Sequence, residues 1–328
     1  IDSAKSAGVT AIIASDQAAI FYARQIGVEV HISTQLNVCN IETLAFYAQF
    51  ADVVVLAREL NLEQVRYIYE QIRERDIRGP RGELVEIEMF VHGALCMAVS
   101  GKCYLSLHDA NFSANKGSCR QICRRSYLVK DLDTGSELVV ENEHIMSPKD
   151  LCTIDFLDRV LDAGVRVLKI EGRARPAEYV KRVCECYNEA IDSILEDTYT
   201  EEKIVAWKEK LSTVFNRGFW GGYYLGQRLG EWSRNYGSSA TRTKVYVGKV
   251  TNFFSKLGVA ELLIEASPLS VGEEVIITGE TTGVVEMVVT EIREDEKSVD
   301  KVIQGVKCSF VTPQPVRRND KLYRLEIK

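Results

Sequence analysis

Four cysteines crowd one stretch of the chain. Cys96, Cys103, Cys119 and Cys123 are separated by six, fifteen and three residues, and a further 28 residues separate Cys123 from Cys152. Thiolates are the soft ligands that zinc and iron–sulfur clusters take. A zinc ribbon would show two C-x2-C pairs, which are absent, and the wider, irregular spacing suits a cluster held by a folded loop. The competing reading is that these are small buried side chains. That second reading is the better one for Cys184 and Cys186, on a predicted helix, and for Cys308, in a predicted strand. Nine cysteines is an odd number and no export signal is visible. Reduced thiols in the cytoplasm are therefore expected, rather than a disulfide framework.

Cationic residues come next. Arg120, Arg124 and Arg125 flank the second cysteine pair, Lys169, Arg173 and Arg175 follow a predicted strand, and Arg58 ends another. Guanidinium groups bind carboxylates and phosphates bidentately, so a converging set would suit an anionic substrate or an RNA backbone. Each has a bland alternative in a neighbouring carboxylate, Glu59 beside Arg58 and Glu171 beside Arg173. Against a peptidase, the chain has only four histidines and neither H-E-x-x-H nor G-x-S-x-G. A Cys96–His92 pair is compatible with the spacing but weakly signalled. The segment 216–226, NRGFWGGYYLG, is not a phosphate loop, and its aromatics either pack or stack on a base.

The elements that must position these groups alternate. Buried apolar runs at 9–15, 28–33, 52–57, 84–93 and 165–172 are separated by amphipathic patterns at 16–27, 40–50 and 61–75. Such alternation predicts an α/β fold with a parallel sheet, and polar residues after each strand suit the catalytic face of a (β/α)8 TIM-like barrel. Five such strands imply an N-terminally truncated barrel in which strands four to eight are present. Residues 96–147 form a Cys-rich insertion, with a hairpin expected within 130–144. From residue 243 short strands and turns predict a separate C-terminal all-β barrel, giving domains 1–242 and 243–328. No apolar run reaches membrane-spanning length. The net charge of −6 gives no global basic bias for RNA, though a local patch from CRQICRR and GRARPAEYVKR remains open.

Several blocks carry a family resemblance. EMFVHGALC (88–96) and GKCYLS (101–106) resemble the signature of peptidase family U32, named for collagenase-like activity. HISTQLNVCN (31–40), SPKDL (147–151), LKIEGRAR (168–175) and NRGFWGGYYLG resemble further family blocks in the same order. The resemblance implies a (β/α)8 barrel and, in its understood branches, hydroxylation supported by an iron–sulfur cluster, expected as 4Fe-4S. One branch acts on the wobble uridine of tRNA, one on a cytidine of ribosomal RNA and one on the ubiquinone ring. The two RNA branches depend on prephenate, a dicarboxylate. The small C-terminal barrel, similar to the second domain of elongation factors, accompanies the tRNA branch, so tRNA and prephenate are the expected partners. Four of Cys96, Cys103, Cys119, Cys123 and Cys152 would ligate the cluster. Arg58, Lys169 and Arg173 would take prephenate carboxylates or RNA phosphate. Gln35, Glu88 and Glu171 would orient them or the target base, and Glu88, His92 and Glu171 are the candidate catalytic groups. The alternatives are a peptidase acting on collagen-like substrates, a hydroxylase of the ribosomal cytidine or the ubiquinone ring, and a non-enzymatic, cluster-stabilised binding scaffold.

Overall fold

The computed structural model describes residues 1–125, 129–135, 137–138, 147–227, 230–233 and 237–328. The chain divides into two compact units. The first comprises Ile1–Arg173, Tyr187–Lys208 and Asn216–Ser239, and the second Ala174–Cys186, Glu209–Phe215 and Ala240–Lys328.

The first unit opens with helix α1 (Asp2–Ser6), then alternates strand and helix: β1 (Ala11–Ala14), α2 (Gln17–Gln25), β2 (Glu29–Ile32), α3 (Ile41–Ala48), β3 (Val53–Val55), α4 (Leu62–Glu74) and β4 (Glu86–Ala94). The helices start where the sequence supplies a cap. Asp16, Asn40 and Asn61 each accept a backbone N–H of the first turn, and Gln64 completes a capping box with Asn61. Helix α4 buries Leu62, Val65, Ile68 and Ile72, the stripe expected of an amphipathic helix. The three valines of β3 are all buried, as in a strand covered on both faces.

Strands β1 to β4 pair in parallel in chain order. After β4 the insertion contains α5 (Leu105–Ala110) and the hairpin strands β5 (Val129–Lys130) and β6 (Glu137–Leu138). Residues 136 and 139–144 of the hairpin expected within 130–144 lie outside the described residues. The chain returns as β7 (Asp150–Cys152), α6 (Leu157–Asp162), β8 (Val165–Glu171), α7 (Ala177–Leu195), α8 (Glu201–Ser212) and β9 (Phe219–Trp220). Strand β8 is parallel to β4, whereas β7 runs antiparallel to it, joining at His92–Ala94. The sheet is therefore not purely parallel. Strand β9 falls in the segment NRGFWGGYYLG and extends the sheet beyond β7.

The second unit contains an antiparallel sheet. Its strands are β10 (Arg242–Phe254), β11 (Val259–Ile264), β13 (Glu274–Gly279), β14 (Gly283–Val288), β15 (Ile292–Glu294), β16 (Lys297–Val299), β18 (Lys307–Val311) and β19 (Lys321–Ile327), with β12 (Leu269–Ser270) and β17 (Lys301–Val302) forming a separate pair. Alternating apolar residues, among them Val247, Leu262, Ile264, Val275, Ile277 and Leu322, fill its core. Strand β10 shifts register between Tyr246 and Gly248 against β19. A Cβ at Gly248 would stand 2.0 Å from the Leu263 carbonyl oxygen, so the close approach of β10 and β11 requires glycine there.

Candidate active site

A carboxylate lies inside the sheet of the first unit. Glu88 on β4 is only 4% exposed. Its Oε2 lies 2.9 Å from His31 Nδ1, and its Oε1 accepts a 2.5 Å hydrogen bond from Lys169 Nζ. These residues come from β2, β4 and β8, whose registers bring positions far apart in the chain to one place. His31 Nε2 also lies 3.5 Å from Glu29. Burial pushes the Glu88 carboxyl up, but the hydrogen bonds and charges of His31 and Lys169 outweigh it and leave it below the usual carboxylate range. The hydrogen bond to Glu88 raises the His31 imidazole above its ordinary value, against the opposing pull of burial.

These shifts define a pH window. Unfolded histidine titrates near about 6.5, so the raised His31 contributes fully below that value and loses its contribution as pH rises through the folded value. Glu88 contributes above about 4.3 and loses its contribution as pH falls through its lower folded value. The stability difference between wild type and His31→Gln is therefore expected to shrink as pH rises from about 6.5 through the raised folded value of His31. Thermal melts across the neutral and alkaline range check it, and a constant difference would mean that folding leaves the proton affinity of His31 unchanged.

Beside this clamp stands a second cation. Arg58 Nη2 donates to Ser100 Oγ at 2.6 Å, and its guanidinium lies 5.1 Å from the centroid of the Phe90 ring. Lys169 Nζ lies 5.6 Å from the same centroid. The pairing of Arg58 with Glu59 considered from the sequence is not formed, and among the described residues Arg58 has no carboxylate partner. Gln35 accepts from Ser15 Oγ at 2.8 Å and backs onto Gly101, where a Cβ would come within 3.1 Å of its side chain. The start of the insertion is thus seated against Gln35 and Arg58.

The structure groups four of the five candidate cysteines. Burial pushes the Cys123 thiol up, Arg124 pulls it down, and Cys96, Cys119 and Cys103 push it up again, so all three lie within electrostatic reach. Cys119 Sγ accepts from Gln121 N at 3.4 Å and from Ser106 Oγ at 3.8 Å. Cys152 is elsewhere. It is 5% exposed on β7, lies 4.0 Å from the Tyr187 hydroxyl, and is pushed up to about 12 by burial.

The remaining candidates separate. His92 is 1% exposed, its ring against Tyr187 and Phe219, while Cys96 is exposed. Glu171 Oε1 accepts the Arg173 backbone N–H at 2.8 Å, and Arg173 Nη1 donates to the Gly117 carbonyl at 3.2 Å. The arginines beside the cysteines do not form one patch. Arg124 donates to the Leu95 and Pro148 carbonyls and to Ser147, which fastens the insertion to the sheet. Arg120 stacks on Phe112, Arg125 faces Asp109, and Arg175 lies over Phe215 in the second unit. In NRGFWGGYYLG, Trp220 and Tyr224 are buried and Tyr224 donates to the Phe90 carbonyl, so these two aromatics pack.

A model of Peptidase family U32 matches residues 1–234. The chain belongs to peptidase family U32. This U32 protein is 61% identical to "Collagenase" of Porphyromonas gingivalis over 99% of its own length and 79% of the relative's. It is 33% identical to "tRNA hydroxylation protein P1" of Bacillus subtilis, over 75% of this chain and 58% of the relative. It is 40% identical to "23S rRNA 5-hydroxycytidine C2501 synthase" of Escherichia coli, over 52% of this chain and 24% of that protein. Family members are thus enzymes named either for peptide cleavage or for RNA hydroxylation.

Sequence reasoning did not select His31 as a site residue. Its signal was a titratable side chain inside the apolar run VEVHIS. Among the described residues, no helix is long and apolar enough to cross a membrane.

Proposed function

We propose that this U32 protein hydroxylates the wobble uridine of tRNA to 5-hydroxyuridine in the cytoplasm, with prephenate as co-substrate and an iron–sulfur cluster as cofactor. The observation that carries this reading is the grouping of Cys96, Cys103, Cys119 and Cys123 beside a sheet whose strands present Glu88 and Lys169, with Arg58 in the turn that follows β3. Similarity to proteins named for tRNA and rRNA hydroxylation supports the substrate class. The strand–helix alternation supports reading the first unit as part of a (β/α)8 frame, with its reacting groups at strand ends. The second unit is read as a small β-barrel.

Among the described residues, no three His, Cys, Asp or Glu side chains stand where they could hold one metal ion. A polynuclear cluster spaces its thiolates more widely than one ion does, and Cys96, Cys103 and Cys119, each within electrostatic reach of Cys123, are the soft donors such a cluster would take. When bound, the cluster would supply redox chemistry. Arg58, which has no carboxylate partner among the described residues, is suited to a substrate carboxylate. Glu88 holds Lys169 in place on the Phe90 ring, and Gln35 positions the insertion.

The name of the 61% identical relative favours a second reading, cleavage of collagen-like peptides. That reading needs a nucleophile beside an accessible base, and the enclosed His92 is poorly placed to be one. Mass spectrometry of tRNA nucleosides from cells without the gene tests the choice. Loss of 5-hydroxyuridine-derived nucleosides, restored by the wild-type gene, supports hydroxylation. An unchanged profile with cleavage of a collagen peptide by the purified protein supports the peptidase.

A further inference from the structure

The second unit carries a cleft of about 680 Å³ lined by residues from the β13–β14 hairpin, the turn entering β19 and the start of α7. Arg317, Arg318 and Lys321 line it from the turn, and Lys244 lines it from β10. The three turn cations are exposed and, among the described residues, none has a carboxylate partner. The Arg317 guanidinium reaches Thr282 Oγ1 at 3.4 Å. Lys244 is held by Glu178 at 2.7 Å and lies 4.8 Å from the centroid of the Tyr323 ring. Of the acidic lining residues, Glu178 is thus engaged and Asp320 is buried, leaving Glu280 against three cations.

The turn is built to hold these cations still. Asp320, 6% exposed, accepts from the Arg317 backbone N–H at 2.7 Å and from Thr282 Oγ1 at 2.5 Å. Asn319 adopts a left-handed φ of 74° and donates its backbone N–H to the Val250 carbonyl at 2.9 Å. A Cβ at Gly279 would stand 1.8 Å from Asp320 Oδ1, so β13 passes the carboxylate only as glycine. Exposed charges are commonly no more than a solvated face. Here a buried carboxylate fixes the turn that bears them, on a chain whose net charge is −6.

We propose that this cleft binds the phosphate backbone of the RNA substrate, an inference that rests on the RNA-hydroxylase reading above. Two guanidinium groups and an ammonium along an open cleft suit successive phosphates. Contacts of that kind position a nucleic acid without reading its sequence.

The test is tRNA affinity of the full chain as a function of salt, comparing wild type with the Arg318→Gln/Lys321→Gln double variant. Neither substitution touches the Asp320 clamp. Two lost phosphate contacts should reduce the slope of log K against log salt by about 1.4 to 1.8, and weaken binding at about 100 mM salt by at least roughly tenfold. The control pair Lys297→Gln/Lys301→Gln, outside the cleft, should leave both unchanged. Wild-type binding of tRNA with an unaltered slope in the cleft variant would overturn the cleft while leaving the RNA reading standing. So would an equal effect of the control pair, which would assign the attraction to overall charge. Competition by polyglutamate as effective as tRNA at equal charge would reassign the cleft to an acidic protein. Failure of wild type to bind tRNA at all would remove the RNA reading and this proposal together.

Discussion

Replacing Cys119 by serine is expected to reduce tRNA hydroxylation to background while leaving the chain folded. Cys119 is half-buried, acts electrostatically on Cys123, and accepts the Gln121 backbone N–H. A serine hydroxyl can take over that hydrogen bond but is a poor ligand for iron, so the loss should fall on the cofactor rather than on the fold. Two comparisons sharpen the result. Cys184→Ser, on α7, should retain cluster absorbance and activity. Cys152→Ser should also retain the absorbance, because Cys152 packs against Tyr187 rather than among the other four, but it should melt earlier. Nucleoside mass spectrometry and visible absorbance of the anaerobically purified variants check all three. Full hydroxylation by Cys119→Ser would remove the thiolate cluster from the reaction.

Glu88→Gln is expected to have the second large effect, on both stability and turnover. The wild-type carboxylate balances His31 and Lys169, whose side chains are about one-fifth exposed. An amide cannot neutralise either, so one or two cationic groups are left in a partly desolvated site. Breaking a fully buried pair in this way costs about 3–5 kcal/mol, and the residual solvent access here reduces the expectation to about 2–3 kcal/mol. The His31 imidazole should fall back toward its ordinary value, which its ring proton shifts report during titration. Turnover should fall more steeply than substrate affinity if the clamp holds Lys169 against the reacting groups. A variant with wild-type melting, wild-type His31 titration and wild-type turnover would show that the clamp has no such role.

Local pattern alone located much of the first unit. The apolar runs at 28–33, 52–57 and 84–93 became β2, β3 and β4, and the capped, periodic segment 61–75 became α4. Strands β7 and β9 escaped this reading because Asp150–Cys152 and Phe219–Trp220 are too short for a period of two to register. Their pairing is tertiary, with β7 joining β4 in the antiparallel sense and β9 joining β7 in parallel.

The division at the candidate site has the same cause. Residue type and spacing by themselves established the family blocks, the crowding of thiols and the presence of Glu88 within an apolar strand, because all of these are local properties of the chain. Partner choice is not local. His31 and Lys169 lie 57 and 81 residues from Glu88, and sheet register brings them to it. Packing likewise separated Cys152 from the other four candidate cysteines, turned Arg124 into a fastener of the insertion, and left Arg58 facing a hydroxyl and an aromatic ring instead of Glu59. Burial and charge compensation are set by which surfaces meet, and the order of residues along the chain does not encode that in any short window.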